Sequence, residues 1–135
     1  MVRVCKHPDT LRRTKNASAL ALHAVVLSLL LVPALSAQDA VKVDPKHYTV
    51  ISENAEVRIL KIHYGAHEKS TMHSHPDSVA VALNDSTVQF TTADGKKDIK
   101  TFKAGDAVFT PAGTHLPENN GDKGMDIILV ELKGK

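Results

Sequence analysis

From Tyr48 onward, short runs of β-branched and apolar residues alternate with turn residues, and no stretch keeps a 3.6-residue apolar period. The pattern predicts strands over Thr49 to Ser52, Glu56 to Tyr64, Met72 to His75, Ser78 to Leu83, Ser86 to Thr92, Asp98 to Phe102, Ala107 to Thr110, His115 to Asn119 and Met125 to Leu132. Gly65-Ala66, Pro76-Asp77, Asn84-Asp85, Asp94-Gly95, Gly105-Asp106, Pro111 to Thr114 and Asn120 to Gly124 punctuate them. Asp94-Gly95 between two β-prone runs signals a hairpin, because glycine takes positive φ at little steric cost. Ile127 to Val130 is apolar throughout and predicts a last strand buried on both faces. Eight or nine short strands with such punctuation predict an all-β sandwich or barrel.

The N-terminal part follows a different pattern. Arg3, Lys6, Arg12, Arg13 and Lys15 face one acid, Asp9. An apolar run from Ala19 to Val32 follows, and then small residues around Pro33 to Ala37. A basic start, an apolar middle and a small-residue exit read as a secretory signal peptide, residues 1–37. The run is shorter than the ~20 residues that span a bilayer, and His23 interrupts it. An uncleaved N-terminal anchor is the alternative. Cleavage after Ser36 or Ala37 would release a periplasmic or secreted protein beginning near Gln38 and no longer attached to a membrane. Residues 38–56 then read as an N-terminal extension, and 57–135 as one barrel domain.

Removing the leader changes the charge. The whole chain has 17 basic and 15 acidic residues. Without the five leader bases and Asp9, 12 and 14 are left, so the mature part is slightly acidic. No basic stripe is left to follow a phosphate backbone, which argues against nucleic-acid binding. The one cysteine, Cys5, lies in the leader. The mature part therefore offers neither a disulfide nor a thiolate ligand.

Histidine carries the chemistry instead. His47, His63, His67, His73, His75 and His115 all fall after residue 37. His73 and His75 are two apart, so in a strand both side chains point to one face. Two imidazoles on one face can share a metal ion. His115, after the Pro111 to Thr114 turn, is the candidate third ligand. Neutral imidazole suits Zn, Cu, Fe and Ni. Taken alone, the His73/His75 spacing fits an exposed strand pair equally well.

The segment Gly105 to Asn119 resembles the second conserved motif of the cupin superfamily, with Gly105, Pro111, Gly113, His115 and Asn119 at its fixed positions. Gly65 to Asp85 resembles the first cupin motif, with His73-Ser74-His75 as its paired histidines. The resemblance covers roughly Val57 to Leu132 and implies a cupin-type jelly-roll β-barrel with His73, His75 and His115 as metal ligands. The first motif departs from the pattern in three ways. Seven residues instead of five separate Gly65 from His73. Val79 and Ala80 stand where the family's ligand glutamate falls, and Asn84-Asp85 replaces its closing glycine. Three neutral imidazoles without that carboxylate favour Zn, Cu, Ni or Fe(II) over a hard, oxygen-preferring ion. His67, Glu68 and Asp77 lie near the histidines in sequence, and Glu118 is a candidate base beside His115.

In the resembled fold the ligands face a small-molecule cavity, which Val79, Val81, Phe90, Phe109 and Ile128 are expected to line. Cupins also associate through their sheets, so a homodimer is expected. The resemblance implies a metal-binding cupin and leaves open whether it is a metal-dependent enzyme, of dioxygenase or isomerase type, acting on a small polar substrate. A non-catalytic module that captures a metal or small ligand is the alternative, and a metal-free barrel acting through its surface is a third.

Overall fold

The structure, a computed structural model, describes residues 38–134, and the leader predicted at residues 1–37 lies outside the described residues. A one-turn helix, α1 (Ala40–Val43), precedes nine strands: β1 (Tyr48–Glu53), β2 (Val57–Tyr64), β3 (His73–His75), β4 (Ser78–Ala82), β5 (Ser86–Thr92), β6 (Lys97–Phe102), β7 (Ala107–Thr110), β8 (Gly113–Asn119) and β9 (Met125–Leu132). Each predicted run became a strand, with ends shifted by at most two residues. The helix falls in a segment whose composition carried no periodic signal. It forms because the Asp39 carboxylate accepts from the Val41 N–H (2.9 Å) and caps the single turn.

The strands make two antiparallel sheets, of order β1-β2-β9-β4-β7 and β3-β8-β5-β6. β1 pairs with β2 through Tyr48↔Ile62 and Thr49↔Lys61, so residues 38–56 supply an edge strand of the larger sheet. Leu60, Ile62 and Tyr64 of β2, Val88 of β5, and Met125, Ile127 and Leu129 of β9 form the buried core. β9 alternates buried with less covered residues along its whole length, as the pleat requires. Gly95 takes a φ of 81° in the β5–β6 hairpin, as Asp94-Gly95 predicted.

The alternation corrects two expectations. On β9, Met125, Ile127, Leu129 and Glu131 are buried, whereas Ile128 and Val130 on the other face are only partly covered. On β4 the small residues Ser78, Ala80 and Ala82 share the inward phase, which leaves Val79 and Val81 on the outer face with Phe109. Of the five residues expected to line the cavity, only Phe90 does.

Asn119, the last fixed position of the second motif, is 1% exposed. Its amide donates to the Gly65 and Lys123 carbonyls (both 2.8 Å) and accepts from the Gly121 N–H (3.0 Å), tying the loop before β9 to the end of β2. Asn119→Ala leaves those buried groups unpaired and is expected to cost about 1–3 kcal/mol in urea unfolding.

Candidate metal centre

The smaller sheet brings the histidines together. β3 runs antiparallel to β8 with His73 directly opposite His115, and the two-residue spacing puts His75 on the same inner face. The three side chains offer ligand atoms that all lie within 4.8 Å of one another, close enough to hold one ion. Their rings lie 4.8–5.5 Å apart between centroids. His73 and His75 are buried and His115 is half-buried.

Hydrogen bonding identifies the nitrogens that face the common point. His73 Nδ1 donates to the Thr71 carbonyl (2.8 Å), while its Nε2 is buried without a hydrogen-bond partner. An unpaired buried acceptor of this kind carries a desolvation cost unless a ligand occupies it. His75 Nδ1 donates to the Glu131 carboxylate at 2.7 Å, which leaves its Nε2 free as well. Burial holds the His73 imidazolium down to about 4, with the neighbouring charge of His75 adding to it. Burial likewise holds His115 down to about 3, with His73 and His75 contributing. Both rings are therefore neutral at pH 7, the form that binds metal. The donor set fits a divalent transition ion.

Glu131 is the residue that the sequence reading missed. It is 1% exposed and sits on β9 opposite Ser78 of β4 and Arg58 of β2. Its second oxygen accepts from Arg58 Nε at 2.5 Å, and Arg58 Nη1 donates to Asp39 at 2.7 Å. A carboxylate absent from β4 is thus supplied next to it by β9. It grips the far nitrogen of His75 and does not join the ligand atoms. Such a carboxylate fixes the ring's tautomer and raises its basicity as a ligand. The inward count on β9, two by two from Met125, is the signal that would have found it.

The other candidates stay outside the cluster. His67 Nε2 meets Asp122 (3.0 Å) at the surface. Glu68 accepts from Lys46, His47 and the Gly65 N–H. Asp77 accepts from the Ala112 N–H (2.7 Å) in a turn, and Glu118, on the opposite phase of β8 from Pro117 and Asn119, accepts from Gln89 (3.3 Å). His63 pairs with Asp126, and His47 is buried against Asp44.

A cavity of about 70 Å³ opens beside the histidines, with His75 and His115 in its wall. Apolar side chains from both sheets, among them Ile62, Val88, Phe90, Met125, Ile127 and Leu129, make most of the lining. Among the described residues, no Asp, Glu, Lys or Arg lines it.

No protein-family model matches the chain, and no curated protein sequence matches it. Solved structures do. A cupin domain from Bordetella pertussis Tohama I is 21% identical, with a TM-score of 0.60 over 64% of this chain and 92% of that one. The fold is that of the cupins. A Bacillus halodurans protein superimposes with a TM-score of 0.53 at 16% identity, over 66% of this chain and 71% of its own. A cupin family protein of double-stranded β-helix fold from Methanocaldococcus jannaschii gives 0.50 at 15% identity, over 63% and 77%. The histidines sit on the inner face of the smaller sheet, with His75 and His115 at the wall of the barrel cavity.

Proposed function

We propose that this cupin holds one divalent transition ion through His73, His75 and His115 and acts as a dioxygenase on a small molecule bound in the barrel. The observation that carries this reading is the convergence of three imidazoles, one of them with a buried unpaired Nε2, beside an apolar cavity that His75 and His115 help to wall. A bound ion there supplies Lewis acidity and, when redox-active, electron transfer to ligands entering from the cavity. The protein's part is to hold the ion, shape the cavity and exclude water.

The lining favours the dioxygenase over the isomerase. Moving a proton between carbons needs a side chain that can take and return it. Among the described residues no Asp, Glu, Lys or Arg lines the cavity, and the Tyr48 hydroxyl is engaged by Tyr64 (2.7 Å). Burial also pushes the Tyr48 phenol well above its ordinary range, with Tyr64 adding to the shift. The substrate is a small molecule with one polar end turned to the histidines and a short apolar body among Val88, Phe90 and Ile127.

The test is oxygen uptake by the Fe(II)-loaded protein across small compounds that each carry one metal-chelating group, with the Zn-loaded protein as control. Iron-dependent uptake that saturates with one compound class supports the enzyme. Stoichiometric metal with no uptake on any class makes the protein a binding module.

We also propose export of the chain and pairing of two copies. The outer row Phe109, Val79, Val130 and Ile59 crosses four strands of the larger sheet in direct register, and Phe109 is 58% exposed. An apolar row of this kind suits a self-complementary contact between copies. Light scattering is expected to give twice the chain mass, and Phe109→Asp half that value. A wild-type monomer would remove the dimer.

A further inference from the structure

Two buried polar groups that the proposed chemistry leaves unused, Asp44 and His47, lie in one segment, Gln38–His47. It runs along the outer edge of β3. The Ser74 N–H donates to the Gln38 carbonyl (2.8 Å), and Asp39 bridges to Ser74, the residue between the two ligand histidines. Ala40 is fully buried in the core. The segment is thus fastened at the ligand strand itself.

Its two aspartates reach the two ligands of β3 by separate routes. Asp39 accepts from Arg58 Nη1 (2.7 Å), Arg58 Nε donates to Glu131 (2.5 Å), and Glu131 accepts from His75 Nδ1 (2.7 Å). Asp44, 7% exposed, accepts from the Ser70 hydroxyl (2.5 Å), whose oxygen lies 3.3 Å from His73 Nδ1. His47 Nδ1 donates to the same Asp44 oxygen (2.7 Å), and the His47 ring stacks on Tyr64 at 4.3 Å, which locks the carboxylate in place. Tyr48, the next residue, packs its ring edge-on against His73 (4.8 Å).

We propose that Gln38–His47 is a strap belonging to the metal centre, with Asp39 and Asp44 as positioning residues for His75 and His73, so that metal binding and strap docking are coupled. The inference rests on the three-histidine metal reading. Outer partners of ligand histidines set ring orientation and basicity, and losing one typically costs about 10–100-fold in metal affinity. Coupling is reciprocal: if the docked strap raises metal affinity, bound metal must favour the docked strap.

The experiment uses the whole expressed chain, stripped with a chelator and titrated with Zn(II) against a competing chromophoric chelator. Asp39→Asn and Asp44→Asn are each expected to weaken zinc binding about tenfold or more. Both are also expected to alter the visible absorption of the Co(II) form, a change that general loss of stability would not cause. Asp39→Glu, which restores the carboxylate, is expected to recover most of the affinity, and Asp98→Asn on exposed β6 to change nothing. Amide exchange of the wild type covers the case in which a variant fails to fold. Zinc is expected to slow exchange across residues 38–47. Wild-type affinity and an unaltered Co(II) spectrum in both variants would overturn the strap, as would exchange at 38–47 that ignores zinc. A wild type that takes up no zinc would instead remove the metal reading and this inference with it.

Discussion

Glu131→Ala is expected to destabilise the protein by about 3–5 kcal/mol, the usual cost of removing one member of a buried ion pair. The Glu131 side chain is 2% exposed and that of Arg58 19%. Without the carboxylate, the guanidinium keeps only Asp39, and His75 Nδ1 loses its acceptor. Most of the cost is the charge and the donor left unpaired in the interior, since an intact pair itself contributes little. Glu131→Gln keeps a similar volume and one acceptor oxygen, so it is expected to fall between wild type and alanine. Urea unfolding of the three proteins measures the difference. An alanine variant within 1 kcal/mol of wild type would mean that this pair does not hold β9 to β2.

Acid is expected to weaken the metal-free protein well before ordinary carboxylates titrate. Burial, reinforced by the neighbouring imidazoles, holds His73 down to about 4 and His115 down to about 3. In the unfolded chain both return to about 6.5. As pH falls below 6.5 the unfolded chain therefore binds protons that the folded one refuses, and stability drops until the folded values are reached. For the fully buried His73 alone the loss amounts to roughly 3 kcal/mol. Glu131, whose hydrogen bonds from His75 and Arg58 outweigh its burial, is also held low. Its contribution is present above the ordinary carboxylate value and is lost only on further acidification. Denaturant midpoints of the stripped protein at pH 7, 5.5 and 4.5 should fall steadily. A flat profile over that range would contradict neutral, desolvated imidazoles. His73→Leu, which removes one of the two groups, should flatten the profile partly.

Most of the fold was readable because turn chemistry is local. Asp94-Gly95, Gly105-Asp106 and Pro76-Asp77 mark strand ends through their own backbone preferences, whatever lies elsewhere in the chain. The ligand pair was readable for a similar reason, since a spacing of two in a strand fixes a common face. His115 needed the motif around it, because its partner across the sheet, His73, is far away in sequence.

What escaped the sequence depends on phase and on long-range pairing. Val79, Val81 and Ile128 look like cavity residues until their strands' phase is known. The phase is set by small Ala80 and Ala82 turning inward, and by Glu131 finding Arg58 across β2. An alternation of period two fits either face equally well until one residue is anchored. Glu131 supports His75 from 56 positions away, and Asp44 reaches the Ser70 hydroxyl beside His73 across 26 positions. No local pattern marks such pairs. Glu68 and Glu118, which look closer in sequence, are drawn off to other partners.

His73, His75 and His115 are proposed to form one metal site. Its most direct test is elemental analysis of the protein, purified without a histidine tag, beside a His73→Ala, His75→Ala double variant. The wild type is expected to carry about one transition-metal ion per chain, lost in the variant while the β-sheet circular dichroism stays intact. Equal, negligible metal in both proteins after incubation with Fe(II), Zn and Cu would contradict it.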